Sequence, residues 1–133
     1  MILAVADTHT IIWYIFNDIR LSSTAQSAIE QAAETGNQIA IASITLAEIV
    51  YLSEKKRIPE QTLERLVNAI DQDDSVLLEV ALDRNVVQAL TKVKRTQIPD
   101  LPDRIIAATA LYLEVPVISR DRKIKLSNIN AIW

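Results

Sequence analysis

The sequence predicts a doubly wound α/β fold, in which a parallel five-stranded sheet is flanked by helices on both faces. Short apolar runs alternate with longer helical patterns, and the runs are apolar at nearly every position, as strands buried on both faces are. Strands that alternate with helices require right-handed crossovers, and these make the sheet parallel.

In the first half of the chain, strands alternate with pairs of helices. The strands are the apolar runs at 2–6 and 38–42, and the helices at 8–17, 22–35, 43–56 and 59–72 are rich in strong helix formers. In the second half, strands are predicted at 76–80, 117–119 and 129–132, and helices at 83–94 and 102–114. No linker or internal repeat divides the chain, so residues 1–133 are expected to form a single domain.

The composition excludes several classes of chemistry. The 133 residues include no Cys, one His (His9) and one Gly (Gly36). The lack of cysteine excludes disulfides, thiolate zinc sites and cysteine nucleophiles, and it suits a reducing cytosol. A single histidine excludes metal sites built from several imidazoles. A single glycine excludes the Walker loop, the G-x-G-x-x-G fingerprint and the G-x-S-x-G nucleophile elbow.

The hydropathy and the charge of the chain bear on its location and partners. No apolar run approaches the ~18 residues of a membrane span, and no secretory leader precedes Asp7. We therefore expect an unprocessed protein of the cytoplasm with no membrane partner. The formal net charge of −3 by itself argues against a nucleic-acid partner.

Acidic residues fall where a doubly wound fold places its chemistry, outside the carboxyl ends of the strands. Asp7 follows the first strand, Glu48 lies on the helix after the second, Asp103 lies in the first turn of the helix at 102–114, and Asp121 follows the strand at 117–119. The aspartates also suit helix capping. Glu48 differs, because Ile44, Tyr51 and Leu52 surround it on its helix face and a buried carboxylate needs a cation, a proton or a metal as partner.

If these carboxylates converge, they need a countercharge. Two carboxylates about 5 Å apart repel by roughly 3 kcal/mol at an effective dielectric near 20. Sites built from oxygen ligands suit Mg²⁺ or Mn²⁺, which commonly act on phosphate oxygens, and a pair of such ions can activate water. Setting the four acids aside changes the net charge from −3 to +1. The rest of the surface is then mildly basic, and a nucleic-acid partner is no longer excluded.

Two basic clusters are candidate phosphate contacts, although either could be only a solvated face. One consists of Lys92, Lys94 and Arg95, and the other, beside Asp121, consists of Arg120, Arg122, Lys123 and Lys125. Arg104, next to Asp103, is expected either to pair with that acid or to meet a phosphate.

Four motifs, in order along the chain, carry a family resemblance. They are V-A-D-T-H-T-I-I-W at 5–13, S-I-T-L-A-E-I at 43–49, P-D-L-P-D-R-I-I-A-A-T-A at 99–110 and I-S-R-D at 118–121. Together they resemble the PIN-domain ribonucleases, and specifically the VapC-like toxins of bacterial and archaeal toxin-antitoxin pairs. D-T-H alone is a weak signal, whereas the ordered set on plausible elements is a strong one.

The resemblance implies an active site and its cofactor. Asp7, Glu48, Asp103 and Asp121 correspond to the family's acidic quartet, which holds Mg²⁺ or Mn²⁺ so that a metal-activated water cleaves an RNA phosphodiester bond. Asp100 stands where related toxins often carry another acid, and it is expected to cap the helix or to orient an outer water. Ser119 stands where Thr is more usual, and either hydroxyl could orient a ligand. His9 is expected to be packed or hydrogen-bonded rather than to act as a base.

The resemblance also implies a homodimer that is bound and silenced by a VapB-like antitoxin. The chain itself offers a related feature, because residues 11–16 (IIWYIF) leave no polar face on their helix turn. Such a turn must be covered on every side. Either it meets another chain, or it is buried between the sheet and the neighbouring helices.

Two other functions suit a small α/β domain with an acidic edge. A receiver-like signalling module needs clustered acids after its first strand and an Asp at the end of its central strand. Here Asp7 stands alone after its strand and Ala81 follows the strand at 76–80, so this alternative is poor. A non-catalytic PIN-fold binding protein is the other alternative, and the presence of all four acids gives it little support. The expected function is a metal-dependent endoribonuclease.

Overall fold

The chain folds into a five-stranded parallel sheet with helices on both faces, as the sequence predicts. The structure is a computed structural model that describes residues 1–133. The elements are β1 (Ile2–Ala6), α1 (Thr8–Ile15), α2 (Ser23–Glu34), β2 (Gln38–Ala42), α3 (Ser43–Glu54), α4 (Thr62–Asp71), β3 (Leu77–Val80), α5 (Arg84–Leu90), α6 (Leu101–Leu113), β4 (Val117–Ile118), α7 (Arg122–Lys125) and β5 (Ala131–Ile132).

The strand order is β3-β2-β1-β4-β5. From β1 the chain builds the sheet outward to β3, then crosses back to add β4 and β5 on the other side of β1. The order therefore reverses at β1, and the carboxyl ends of β1 and its neighbours are where such a sheet binds ligands.

The predicted elements are confirmed, with differences of a few residues at their ends. Side chains of Asp7, Ser22 and Asp83 cap α1, α2 and α5 by accepting backbone N–H bonds from the first turn. Helix α5 ends at Leu90, earlier than predicted. The sequence did not predict α7, because a helix of 4 residues is shorter than the window that shows a helical period. Asp121 caps this helix.

The alternation of side chains along the strands divides the core into two layers. Ala4 and Ala6 of β1 face one layer, together with α1, α2 and α4. Val5 faces the other layer, together with α5 and α6. Each face of β1 is thus covered by helices, and the central strand carries no polar side chain until Asp7 leaves the sheet.

The apolar turn at 11–16 is covered within the chain. Ile11, Ile12 and Trp13 are buried, and the three residues that follow are half-buried against the same layer. Burial between the sheet and the neighbouring helices therefore explains this turn, and no second chain is needed to cover it. None of the helices is both long enough and apolar enough to cross a bilayer.

Candidate active site

An acidic cavity of about 400 Å³ lies at the carboxyl ends of the central strands. It is lined by Asp7, Thr8, His9, Trp13, Glu48, Asp100, Asp103, Arg120 and Asp121. All four acids selected from the sequence therefore meet at one cavity, although they come from four separate segments. Asp103 reaches it because α6 leads back into a parallel strand, so that the first turn of α6 lies at the carboxyl edge of the sheet.

Ser119 connects Asp7 to Asp121. Asp7 is 8% exposed; its Oδ1 accepts the backbone N–H of Thr10 at 3.0 Å, and its Oδ2 accepts the Ser119 hydroxyl at 2.5 Å. The same hydroxyl oxygen accepts the backbone N–H of Asp121 at 2.9 Å. Asp121 in turn accepts the backbone N–H of Lys123 at 2.8 Å. A single buried hydroxyl thus sets the positions of two acids that follow adjacent strands.

Two threonine hydroxyls position Glu48. Thr8 donates from Oγ1 to Oε1 of Glu48 at 2.5 Å and lies 3.1 Å from Oγ1 of Thr45. Because Thr8 has only one hydroxyl proton, Thr45 is the donor in the second bond. Neither threonine stands out in the sequence as a site residue. The available signals were that Thr8 adjoins Asp7 and that Thr45 precedes Glu48 by three residues on the same helix face.

Burial raises the pKa of Glu48, the hydrogen bond from Thr8 opposes this rise, and the charge of Asp100 adds to it. The pKa of Asp103 is raised to about 7, first by burial and then by the charges of Asp100 and Asp121. Burial and the neighbouring carboxylates therefore make it harder for Glu48 and Asp103 to ionise.

Asp100 lies beside the four acids of the cavity, nearer to them than the sequence indicates. Its Oδ2 caps α6 by accepting the backbone N–H of Asp103 at 3.2 Å, which confirms the predicted capping role. It also lines the cavity, and among the neighbouring charges it is the first cause of the raised pKa of Asp103.

Arg104 points away from the acids. Its Nη2 donates to the backbone carbonyls of Leu90 at 3.3 Å and Val93 at 3.0 Å, and it forms no ion pair. The expected pairing with Asp103 is therefore wrong, and Arg104 is not among the residues that line the cavity. The carbonyls of the last residue of α5 and of Val93 accept from Nη2 instead, while Nε is buried without a partner.

Of the two basic clusters, only Arg120 lines the cavity. Its guanidinium carbon lies 4.7 Å from the ring centroid of Trp13. His9 is exposed and lines the cavity, and its ring centroid lies 5.7 Å from that of Trp13. The other residues of both clusters lie elsewhere on the surface.

The donor atoms of the cavity suit a hard divalent cation. The four acids offer carboxylate oxygens, with hydroxyl groups behind them, and the mutual repulsion of the carboxylates would be relieved by positive charge. No three of the His, Asp and Glu side chains converge as the ligands of one ion do. Holding one cation would therefore require some of these carboxylates to draw closer together.

The PIN domain family model matches residues 4–129, and the chain therefore belongs to the PIN-domain family. It is 28% identical over 119 residues to Ribonuclease VapC22 of Mycobacterium tuberculosis (strain ATCC 25618 / H37Rv), covering 90% of this chain and 87% of that protein. The resemblance inferred from the four motifs is confirmed.

Solved structures share the fold. One is VapBC2 from Rickettsia felis bound to a DNA fragment from their promoter, with a TM-score of 0.71, 20% identity, and coverage of 98% of this chain and 97% of that chain. Another is DNA-bound VapBC from Salmonella typhimurium, with a TM-score of 0.72, 22% identity and the same coverage of 98% and 97%.

Proposed function

We propose that this PIN-domain protein is an endoribonuclease that hydrolyses RNA phosphodiester bonds with Mg²⁺ or Mn²⁺ and acts as the toxin of a toxin-antitoxin pair. The observation that carries the proposal is the convergence of Asp7, Glu48, Asp103 and Asp121 on one cavity at the reversal point of the sheet. The relative named Ribonuclease VapC22 and the VapBC structures support it.

When bound at these carboxylates, divalent cations would supply an activated water and offset charge on the phosphate. The residues of the chain prepare the site. Asp7 is fixed by two hydrogen bonds, and Glu48 is fixed by Thr8. Asp103, with its pKa of about 7, holds a proton on its carboxyl group in part of the population near neutral pH, and this proton must leave before the oxygen can serve as a ligand.

The direct test is RNA cleavage by an Asp7→Asn variant. The amide keeps the size of the side chain and an acceptor for the N–H of Thr10, but removes the charge. Asp83→Asn is a matched control, because Asp83 also caps a helix and lies outside the cavity. We expect Asp7→Asn to abolish Mg²⁺-dependent cleavage and growth arrest while the circular dichroism spectrum is unchanged, and Asp83→Asn to cleave normally. Unchanged cleavage by Asp7→Asn would refute the proposal.

The proposed partners are a VapB-like antitoxin and a second copy of this chain. The antitoxin is supported by the VapBC structures that share this fold. Co-expression with a short reading frame adjacent in the genome should suppress cleavage and yield a stable complex. Free, active toxin after such co-expression would contradict this assignment.

A further inference from the structure

We propose that Arg120 binds a phosphate of the RNA substrate at the rim of the acidic cavity, and that Trp13 positions its guanidinium for this contact. The inference rests on the proposed ribonuclease function and adds a substrate-binding residue to it. Arg120 is the only Lys or Arg among the residues that line the cavity, where five carboxylates also lie.

The first observation is that Arg120 has no acidic partner despite these surroundings. The one ion pair of the molecule joins Arg20 to Asp18 at 2.7 Å. The guanidinium nitrogens of Arg120 therefore lie more than 4.0 Å from every carboxylate oxygen, although Asp121 is the next residue. If the role of Arg120 were to neutralise the acids, a direct ion pair with one of them would be expected.

The second observation is that an aromatic ring holds the guanidinium. Its carbon lies 4.7 Å from the ring centroid of Trp13, which is within the range of a cation–π contact. Trp13 is 4% exposed, and its ring also contacts Trp133, with centroids 5.8 Å apart. A buried ring packed in this way is a rigid support for the arginine.

Stacking on a ring leaves the donors of a guanidinium available. The N–H groups lie in the plane of the guanidinium and point outward from its edge, in a fork that matches two oxygens of a phosphate. Arg120 is exposed, so a ligand can reach this edge from solvent. An arginine that is oriented, charged and free of acidic partners beside a phosphodiesterase site is suited to a backbone phosphate next to the bond that is cleaved.

Trp13 carries a second arginine that serves as an internal comparison. The guanidinium of Arg20 lies 5.2 Å from the ring centroid of Trp13, but Asp18 occupies its donors with bonds of 3.0 and 2.7 Å. Arg20 does not line the cavity. Contact with Trp13 is therefore shared by both arginines, whereas free donors and access to the cavity belong to Arg120.

The test compares RNA binding by Arg120→Ala with binding by Arg20→Ala and Arg122→Ala, each of which also removes one positive charge. Binding of a fluorescein-labelled 12-nucleotide RNA is measured by anisotropy at several salt concentrations, with Asp7→Asn added to every variant to prevent cleavage. We expect Arg120→Ala to weaken binding by about 10-fold and to reduce the slope of log K against log[salt] by about 0.7, the value for one phosphate contact on a single strand. The two control variants should bind as the parent does.

Further measurements separate this role from others. Without the Asp7 substitution, Arg120→Ala should raise KM more than it lowers kcat. The rise in its melting temperature on adding Mn²⁺ should equal that of the wild type. Trp13→Phe should weaken RNA binding by a smaller factor than Arg120→Ala, because a smaller ring still supports the guanidinium.

Two results would overturn the inference. One is equal RNA affinity of Arg120→Ala and Arg122→Ala. The other is that Mn²⁺ no longer raises the melting temperature of Arg120→Ala, which would show that the arginine positions the carboxylates for the cation. Either result would leave the ribonuclease proposal intact as long as Asp7→Asn abolishes cleavage. Continued cleavage by Asp7→Asn would instead refute the ribonuclease proposal itself.

Discussion

Single hydroxyl groups position the acids of the cavity. Ser119 connects Asp7 to Asp121, and Thr8 holds Glu48. A hydroxyl can fix a carboxylate without neutralising it, whereas an ion pair with Lys or Arg would compete with a cation for the same oxygens. The site thus keeps its negative charge while its geometry is constrained.

We predict that Ser119→Ala lowers Mg²⁺-dependent RNA cleavage by about 10-fold or more, because Asp7 and Asp121 lose the group that orients them. The loss of hydrogen bonds to a buried carboxylate should also lower the free energy of unfolding by about 1–3 kcal/mol. Ser127→Ala is the matched control, since Ser127 donates to the carbonyl of Ile124 and accepts from a nearby N–H outside the cavity. Wild-type cleavage by Ser119→Ala would show that this connection has no part in catalysis.

The raised pKa of Asp103 predicts how the stability of the metal-free protein depends on pH. Its pKa is about 7 in the folded protein against an ordinary value of 3.8. Between these two values the unfolded chain ionises this carboxyl while the folded protein keeps it protonated, so the contribution of Asp103 to stability falls as pH rises from about 4 to about 7.

We therefore predict that Asp103→Asn stabilises the protein in EDTA at pH 8 by about 1–2 kcal/mol, the full shift being reduced by solvent screening at this half-exposed site. The effect should vanish below pH 4. Urea unfolding at pH 4, 6 and 8 measures it, and the same variant should lose the stabilisation that Mn²⁺ gives to the wild type. An equal stability of variant and wild type in EDTA at pH 8 would contradict the raised pKa of Asp103.

At the scale of elements, helix ends bring the site together. Asp7, Asp100 and Asp121 each cap a helix that begins at the carboxyl edge of the sheet, so the same residues start helices and supply charge to the cavity. The capping and catalytic interpretations, which were alternatives in the sequence, are thus compatible in the structure. A carboxylate has two oxygens, and one can accept an N–H bond while the other faces the cavity.

Arg104 connects α6 to the end of α5 and to the segment that follows it. We predict that it stabilises the fold. Arg104→Met removes the donors to the carbonyls of Leu90 and Val93 and should lower the free energy of unfolding by about 1–3 kcal/mol. The thermal shift on Mn²⁺ binding should be retained. Arg84→Met is the control, because Arg84 is exposed at the start of α5. Loss of the Mn²⁺ shift with unchanged stability would place Arg104 in the site instead.

The sequence predicts the elements well because apolar runs and helix formers are local signals. It indicates Asp7, Asp103 and Asp121 because each follows a strand or opens a helix, and Glu48 because its helix face is otherwise apolar. The sequence does show Arg120 as one residue of a basic cluster, but the fold decides that it alone of that cluster lines the cavity. Thr8 and Thr45 are different, since their roles depend on which segments the fold places side by side. Thr8 and Glu48 are 40 residues apart, and no local pattern indicates that they touch.

At the scale of the molecule, the reversal of strand order at β1 explains why acids from distant segments meet. Strands β2 and β4 flank β1, so the loops that leave these three strands emerge side by side. This placement follows from the topology, which the alternation of elements does not determine by itself. The sequence predicts parallel strands but not their order, so it does not by itself place the first turn of α6, with Asp103, beside Asp7.

The outer surface of the molecule bears on the proposed homodimer. Leu111 and Tyr112 of α6 are 39% and 47% exposed, and together with Ala89 of α5 they help to line a depression between the two helices. Exposed apolar side chains that are grouped in this way mark interaction surfaces. A stable dimer buries about 1,200–2,000 Å² in total, so further residues of these helices would have to take part.

We predict that the purified chain has twice the monomer mass by light scattering coupled to size-exclusion chromatography at about 10 μM, and that Tyr112→Glu converts it to monomer because a buried, unpaired carboxylate is unfavourable in an apolar interface. Leu126→Glu is the control, since Leu126 is 74% exposed at the end of α7, and it should remain a dimer. Thermal unfolding checks that each variant is folded. A wild-type monomer at 100 μM would refute the dimer, and a dimeric Tyr112→Glu would exclude this face as its interface.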